Sequence, residues 1–423
     1  MGLKLAIVGG GSTYTPELIE GIAARSAVLP VDELVLLDPD LERQAVVAGL
    51  ARRILARTGS SVTLVETADE HRALDGADFV LLQLRVGGQA TRLVDETLPL
   101  RFGCIGQETT GPGGFAKALR TVPVVMALAD EVRRRSAKDA WLIDFTNPVG
   151  IVTQALLDAG HRAIGLCNVA IGMQRTLAAH FGISPERVEL EHVGLNHLTW
   201  VRAVRVDGVD RLPELLVSGA EAVMDEDEMP IELMRTLGAI PSYYLRYYYF
   251  TGAVLEEQRH EPSRAEEVMR IEAELLDLYR DPTLDRKPAL LEKRGGAFYS
   301  EAAAQLITSL HNGTGDVQVV DVRGGGAFPD LPPDSVVEVP ARITRDGAMP
   351  VTVAPLAPEL RGLVQHAKAY EQLTIAAAMS GDRQVALKAL MTNPLVPDAP
   401  TAIGLLDAIL TTDRAHLPRF WRS

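Results

Sequence analysis

The sequence predicts an α/β protein: a doubly wound parallel sheet in its first half, followed by an α+β region. Three observations carry this. First, an apolar run, Leu5 to Val8, stops at Gly9-Gly10-Gly11-Ser12-Thr13, and Thr13 or Thr15 with Pro16 then opens an amphipathic stretch, Glu17 to Arg25. That order is strand, glycine turn, helix. Second, short apolar runs alternate with helical patterns up to about residue 166. Third, the pattern changes after about residue 185, where alternating runs and long helices replace the β-α rhythm.

The candidate strands of the first part are Leu5–Val8, Leu34–Asp38, Thr63–Glu66, Phe79–Leu84, Trp141–Phe145 and Ala163–Leu166, with helices at Phe115–Arg135 and Val149–Asp158. In a sheet of this kind ligands gather at the carboxyl ends of the strands. The glycine turn lets backbone approach a pyrophosphate, and the helix after it offers free N–H groups. Gly9 and Gly11 fit the first two glycines of a dinucleotide fingerprint, while Tyr14 stands where the third belongs. Asp38 ends the second strand, where a carboxylate accepts from a ribose 2′-OH and repels a 2′-phosphate. The expectation is therefore a Rossmann-type NAD domain, lactate/malate dehydrogenase-like, over residues 1–166. An α+β domain for metal, substrate and oligomerisation would follow over 167–423.

In that second part Val188–His192 and Thr199–Val206 read as antiparallel strands. Helices are expected at Ala265–Tyr279 and Ala302–His311, β segments at Val317–Val322 and Val336–Val339, and closing helices at Pro358–Ser380 and Asp382–Met391. The acidic stretch Asp225–Asp227 reads as a solvated loop. A net charge of −14 disfavours nucleic acid and anionic membranes as partners. No apolar stretch approaches the roughly 18 residues of a membrane span. The short first apolar run belongs to the glycine turn rather than to a secretory leader. Cys104 and Cys167 are the only cysteines, too few for a disulfide framework, so the chain reads as cytoplasmic.

Several residues are placed for chemistry. Cys167 ends a predicted strand and His197 lies in Gly-Leu-Asn-His-Leu; together they are either half of a divalent-metal site or buried structural residues. Tyr243, Tyr244, Tyr247, Tyr248 and Tyr249 cluster in one segment, either as core packing or with one as a general base tuned by a cation. Arg92, Arg246 and Arg264 are anion-binding forks or surface residues. Asn147, before Pro148, either grips a sugar hydroxyl or caps the helix that follows.

These segments together resemble glycoside hydrolase family 4, the NAD- and metal-dependent glycosidases, and more closely its 6-phospho-β-glucosidase branch. The resemblance runs in family order over residues 4 to 340. It is carried by Val8-Gly-Gly-Gly-Ser-Thr13, Arg85-Val-Gly-Gly88, Gly106-Gln-Glu-Thr-Thr-Gly111, Thr146-Asn-Pro-Val149, Gly165-Leu-Cys-Asn-Val169, Gly194-Leu-Asn-His-Leu198, the Ile240-Pro to Tyr249 segment and Pro329-Asp-Leu-Pro332. It implies that Cys167 and His197 bind a divalent metal, usually Mn2+, and that Arg92, Asn147 and Arg264 bind substrate. Tyr244 matches the proton-abstracting tyrosine, and Glu108 an acid that raises its basicity. Asn168 stands where the α-glucosidase branch has an acid-donor aspartate. Gly9 to Thr13 and Asp38 would hold NAD. Ala170 replaces a common proline, and Gly324-Gly325-Gly326 replaces a stretch that usually carries asparagines, which would remove side chains that grip substrate.

The implied reaction is hydrolysis of a 6-phospho-β-glucoside by C3 oxidation, C2 proton abstraction, elimination at C1, water addition and re-reduction. The expected partner is a small phosphorylated sugar. Long apolar helices in the second half, and the habit of the family, imply a homodimer or homotetramer. The competing readings are a 2-hydroxy acid dehydrogenase, a family 4 enzyme for another glycoside, and a non-enzymatic NAD sensor.

Overall fold

The computed structural model describes residues 2–218, 229–296 and 298–421. The Asp225–Asp227 stretch lies outside the described residues. Strands β1 (Leu3–Val8), β2 (Val31–Leu37), β3 (Thr63–Thr67), β4 (Phe79–Leu82), β5 (Trp141–Asp144) and β6 (Ala163–Gly165) form the parallel part of the main sheet. Next come β7 (Val188–Leu195), β8 (Leu198–Val206), β9 (Val209–Asp210) and β10 (Ile240–Pro241), which make a second sheet. Finally β11 (Val317–Arg323), β12 (Val336–Thr344) and β13 (Gly347–Pro350) return to the main sheet, giving the order β13-β12-β11-β6-β5-β4-β1-β2-β3.

The strand sequences explain the double winding. Leu5, Ile7, Leu34 and Leu36 point into one core, whereas Ala6, Val8, Val35 and Leu37 point into the other. Both faces are apolar because both are covered, as a parallel sheet requires. The second half supplies much of that cover. Trp200, Val201 and Leu306 share the first core, and Tyr370, Leu390 and Leu405 share the second. The division expected at 166/167 thus does not separate two independent cores: β11 adds antiparallel to β6, pairing Asp321 with Gly165, and extends the nucleotide-type sheet. Sequence patterning misses this because an added edge strand carries no local mark of its partner.

The same register moves Gly324-Gly325-Gly326 away from the expected place. Running antiparallel to β6, β11 ends at the amino edge of the parallel strands, where Arg323 donates to the carbonyl of Leu157 at 2.8 Å. The glycine run therefore does not line the carboxyl edge. Its lack of side chains bears on that turn, not on substrate.

A buried ion triad fixes one wall of the carboxyl edge. Arg120, on the Gly111–Arg135 helix, donates to both oxygens of Asp95 at 3.0 and 2.6 Å and also pairs with Asp413 near the C-terminus. Asp95 belongs to the Gly88–Thr97 helix, which also carries Arg92 and Glu96. Arg120→Met is expected to cost about 3–5 kcal/mol, because it strands two carboxylates without a cation. Urea unfolding measures it; a loss of under about 1 kcal/mol would put the triad in the class of exposed pairs.

Candidate active site

A cavity of about 800 Å3 opens where the parallel strands end. Its wall takes Gly9, Gly11 and Ser12 from the turn after β1, Asp38 after β2, Arg85 after β4, Asn147 after β5 and Asn168 after β6. The opposite wall comes from the second half: Tyr244, Arg264, Glu272, Arg294 and Tyr299. The cavity thus sits at the carboxyl ends of the parallel strands, where a doubly wound sheet binds its ligands.

The glycine turn is shaped by close approach. Gly9 has φ +86°, and a Cβ there would stand 2.8 Å from the carbonyl oxygen of Gln83. At Gly11 a Cβ would meet the Asp38 carboxylate at 2.9 Å, the same oxygen that accepts from the Gly11 N–H at 2.9 Å. Asp38 also accepts from Asp40 N at 3.0 Å, so its carboxylate is oriented at the cavity surface. Arg43, the nearby cation, is committed to the Gly11 carbonyl at 2.7 Å and to Glu272 at 3.0 Å. A bare glycine turn beside a helix N-terminus, with an oriented carboxylate and no unpledged arginine at Asp38, fits an unphosphorylated dinucleotide ribose.

Two residues of the turn face inward instead. Gly10 packs against Leu36, and the buried Thr13 hydroxyl donates to Glu272 at 3.3 Å. Tyr14, in the place of a third glycine, donates to Glu17 at 3.1 Å and meets the Tyr299 ring edge-on at 6.3 Å. Tyr279 reaches across to the Thr13 carbonyl at 2.7 Å. The turn is thus clamped to the second half of the chain through side chains that a fingerprint glycine does not have.

Beyond the turn the cavity becomes strongly charged. Glu108 is buried among Arg85, Arg92 (3.3 Å) and Lys117 (2.6 Å). These cations hold its carboxyl well below the usual range despite burial. Burial and the neighbouring Arg85 lower Lys117 to about 8. Arg92 also donates to Glu96 at 2.7 Å, and Glu96 accepts from the Ala265 N–H at 2.6 Å. That bond ties the Gly88–Thr97 helix to the start of the Arg264–Tyr279 helix. Arg264 itself is more exposed, donating to the Lys293 carbonyl at 2.7 Å. Arg246 is held by Tyr243 at 2.8 Å and by Glu257.

Behind the cavity wall, Tyr244 packs on the buried His197 and lies near the buried Cys167. Cys167 follows β6 and is buried; burial pushes its thiol well up, with Glu338 and Asp321 adding to that and a Tyr299 hydrogen bond opposing it. His197 sits in the loop between β7 and β8 in the left-handed region, φ 61°. Its ring lies 3.9 Å, centre to centre, from that of Tyr244. Burial lowers His197 to about 4, which keeps the imidazole neutral, the form that binds a metal. Burial raises the Tyr244 phenol well above its ordinary value; Cys167, Tyr247 and Glu108 push the same way, and Arg92 opposes them. Among the described residues no group of three or more His, Cys, Asp or Glu side chains is arranged to hold a metal. A thiol and a neutral imidazole fit a divalent cation only if substrate or water oxygens complete its shell. Asn147 is consistent with such a visitor, since its buried Oδ1 has no partner among the described residues.

The sequence profile described as "Family 4 glycosyl hydrolase" matches residues 4–183, and that of the family's C-terminal domain matches 192–396. The chain belongs to glycoside hydrolase family 4. A probable 6-phospho-β-glucosidase of Bacillus subtilis is 42% identical, over 99% of this chain and 98% of its own length. A phospho-α-glucosidase of Clostridium acetobutylicum is 30% identical over 98% of each, so the sequence lies nearer the β branch. The 6-phospho-β-glucosidase structure from Thermotoga maritima with manganese, NAD+ and glucose-6-phosphate superposes with a TM-score of 0.93. It is 35% identical and covers 98% of this chain, with 99% of its own length matched.

Within this family 4 site the sequence reading omitted Lys117, Glu272, Arg294 and Tyr299. Glu272 left a legible signal: it shares the buried face of its helix with Val268, Ile271 and Leu275. A carboxylate on an apolar face needs cationic partners, here the half-buried Arg43 and Arg294. Tyr299 left none, because its importance lies in touching Tyr14, Phe145 and Cys167, which are remote in sequence.

Proposed function

We propose that this chain hydrolyses 6-phospho-β-glucosides in the cytoplasm, using NAD+ and a divalent cation, with Mn2+ as the first choice. The observation that carries the reading is Tyr244, which lines the same cavity as Gly9, Gly11 and Ser12 and whose ring rests on His197 with Cys167 nearby. When bound, NAD+ supplies reversible hydride transfer at C3 of the sugar and the cation supplies Lewis acidity at its O2/O3 edge. The chain's own residues do the rest.

Gly9, Gly11, Ser12 and Asp38 bind the dinucleotide, with Gly10 and Thr13 shaping the turn from behind. Cys167 and His197 hold the cation. Arg92, Asn147 and Arg264 bind the sugar and its phosphate, an anion that the chain's overall negative charge would otherwise repel. Once C3 is a ketone, the C2–H is acidic enough for a buried phenolate, and Tyr244 takes that proton. The bond from C1 to the aglycone oxygen breaks as the C1–C2 double bond forms; the departing oxygen is protonated from solvent, to which Tyr244 returns the proton it took. Water then adds its hydroxyl at C1 and a proton at C2 before C3 is reduced again. Glu108 keeps Arg85, Arg92 and Lys117 ordered and adds negative charge near Tyr244. Asn168 immediately precedes the Val169–Phe181 helix at the cavity wall, and an amide there is no proton donor to the leaving group. A homodimer or homotetramer is supported by exposed apolar side chains such as Met391 and Ile403 on the closing helices.

The test is hydrolysis of p-nitrophenyl 6-phospho-β-glucoside and its non-phosphorylated form, with NAD+ and Mn2+ each present or withheld. Hydrolysis should require the phosphate and both additions, with no net NADH. Build-up of NADH from a 2-hydroxy acid, with no glycoside cleavage, would establish the dehydrogenase reading instead.

A further inference from the structure

A second polar cluster lies behind the cation ligands, where the two sheets meet. Glu338 of β12 is 1% exposed and accepts from Asn196 Nδ2 at 2.7 Å, with His192 Nε2 on its other oxygen at 2.8 Å. Asn196 also reaches Asp321 of β11 at 3.4 Å. Asp321 is the cross-strand neighbour of Glu338 and, on its other side, of Gly165, two residues before Cys167. Asn196 immediately precedes His197 in the loop that holds His197 at positive φ. The cluster therefore touches both ligand segments, one through hydrogen bonds and the other through sheet register.

We propose that Glu338 is a positioning residue for the divalent cation: anchored by His192, it fixes the Asn196–His197 loop and places compensating negative charge behind Cys167 and His197. This rests on the metal reading above. A carboxylate buried at this depth is costly unless strong donors or a cation meet it. His192 and Asn196 supply two donors. The buried Glu338 carboxylate, bonded to Asn196 at 2.7 Å, sets negative charge behind the His197 loop, which favours a dication held between Cys167 and His197. Backbone at positive φ is strained for a residue with a Cβ, so the His197 loop needs such a tether to stay in one arrangement. Outer partners that orient ligands in this way typically account for about 10–100-fold in metal affinity.

The experiment titrates Mn2+ alone into the full-length protein, following free Mn2+ by electron paramagnetic resonance, and measures NAD+ affinity on the same samples. Glu338→Gln keeps shape and removes charge, and should weaken Mn2+ binding by about 10–100-fold with NAD+ affinity unchanged. Asp321→Asn should cost clearly less Mn2+ affinity than Glu338→Gln, because Asp321 meets Asn196 only at 3.4 Å whereas Glu338 holds it at 2.7 Å. Wild-type Mn2+ affinity in Glu338→Gln, or equal losses in both variants, overturns the assignment to Glu338. Failure of the wild-type protein to bind Mn2+ would instead overturn the metal reading itself. Should Glu338→Gln lose NAD+ binding as a sign of misfolding, Asn196→Ala decides: it cuts the tether while keeping the carboxylate. It should weaken Mn2+ binding about tenfold, and wild-type affinity there also overturns the proposal.

Discussion

Tyr244→Phe should reduce turnover by a factor of about 10² to 10⁴ while the protein still folds and binds NAD+. The substitution keeps the ring, which carries the packing: His197 lies 3.9 Å away between centroids, and Tyr243 and Tyr247 meet the ring at 6.0 and 6.3 Å. Only the hydroxyl is lost. Burial, with Cys167, Tyr247 and Glu108 outweighing the opposing Arg92, pushes its pKa up, so the hydroxyl retains its proton and is a poor base in the protein alone. Its place against His197 is what makes it serviceable, because a cation on the imidazole would stand beside the phenol. Proton removal at C2 has a distinctive signature: wild-type product formed in D2O should carry deuterium at C2. Direct displacement at C1 never breaks the C2–H bond and leaves no label. Normal hydrolysis by Tyr244→Phe, together with unlabelled wild-type product, would remove elimination as the mechanism even if glycosides are cleaved.

The parts of this site that could be read from sequence are those whose chemistry is local. The Gly9–Ser12 turn, the Asp38 strand end and the Cys167-Asn168 strand end each follow an apolar run, and each lies on the cavity wall or just behind it. Features that depend on tertiary pairing were not legible. The Gly111–Arg135 helix begins four residues before the expected Phe115, because Gly111-Pro112-Gly113-Gly114 reads as loop. Proline is at home in a first helical turn, where its missing N–H has no partner to lose, and the loop signal hides that. The same helix is buried around most of its first turns, so Lys117 and Arg120, which periodicity would assign to solvent, meet Glu108, Asp95 and Asp413 instead. β12 runs on to Thr344 although Pro340 stops the apolar pattern at Val339. A proline lacks the donor a strand uses, but its carbonyl still accepts from Val351 at 2.8 Å. The glycine run at 324–326 reads as part of the substrate site only until the antiparallel register of β11 is known.

Cys167→Ser and His197→Ala should each abolish measurable turnover while leaving NAD+ affinity near wild type. The two proposed ligands come from different sheets, Cys167 from the end of β6 and His197 from the loop between β7 and β8, so each variant would remove one side of the proposed cation site without touching the Gly9–Ser12 turn. Cys167→Ser is the cleaner change. It replaces a buried sulfur by a slightly smaller hydroxyl that can still accept from Tyr299, but a neutral hydroxyl is a far weaker cation ligand than a thiolate. His197→Ala also withdraws the ring on which Tyr244 packs, so part of its loss belongs to a displaced base. Cation affinity separates the two causes: Cys167→Ser should lose Mn2+ binding with an unchanged melting temperature, whereas His197→Ala should lose both Mn2+ binding and some stability. Large-to-small changes at buried positions cost about 2–5 kcal/mol, enough to be seen in thermal unfolding. Turnover near the wild-type rate by either variant, in the presence of a chelator, would mean that Cys167 and His197 pack the core beneath Tyr244 and hold no metal for catalysis.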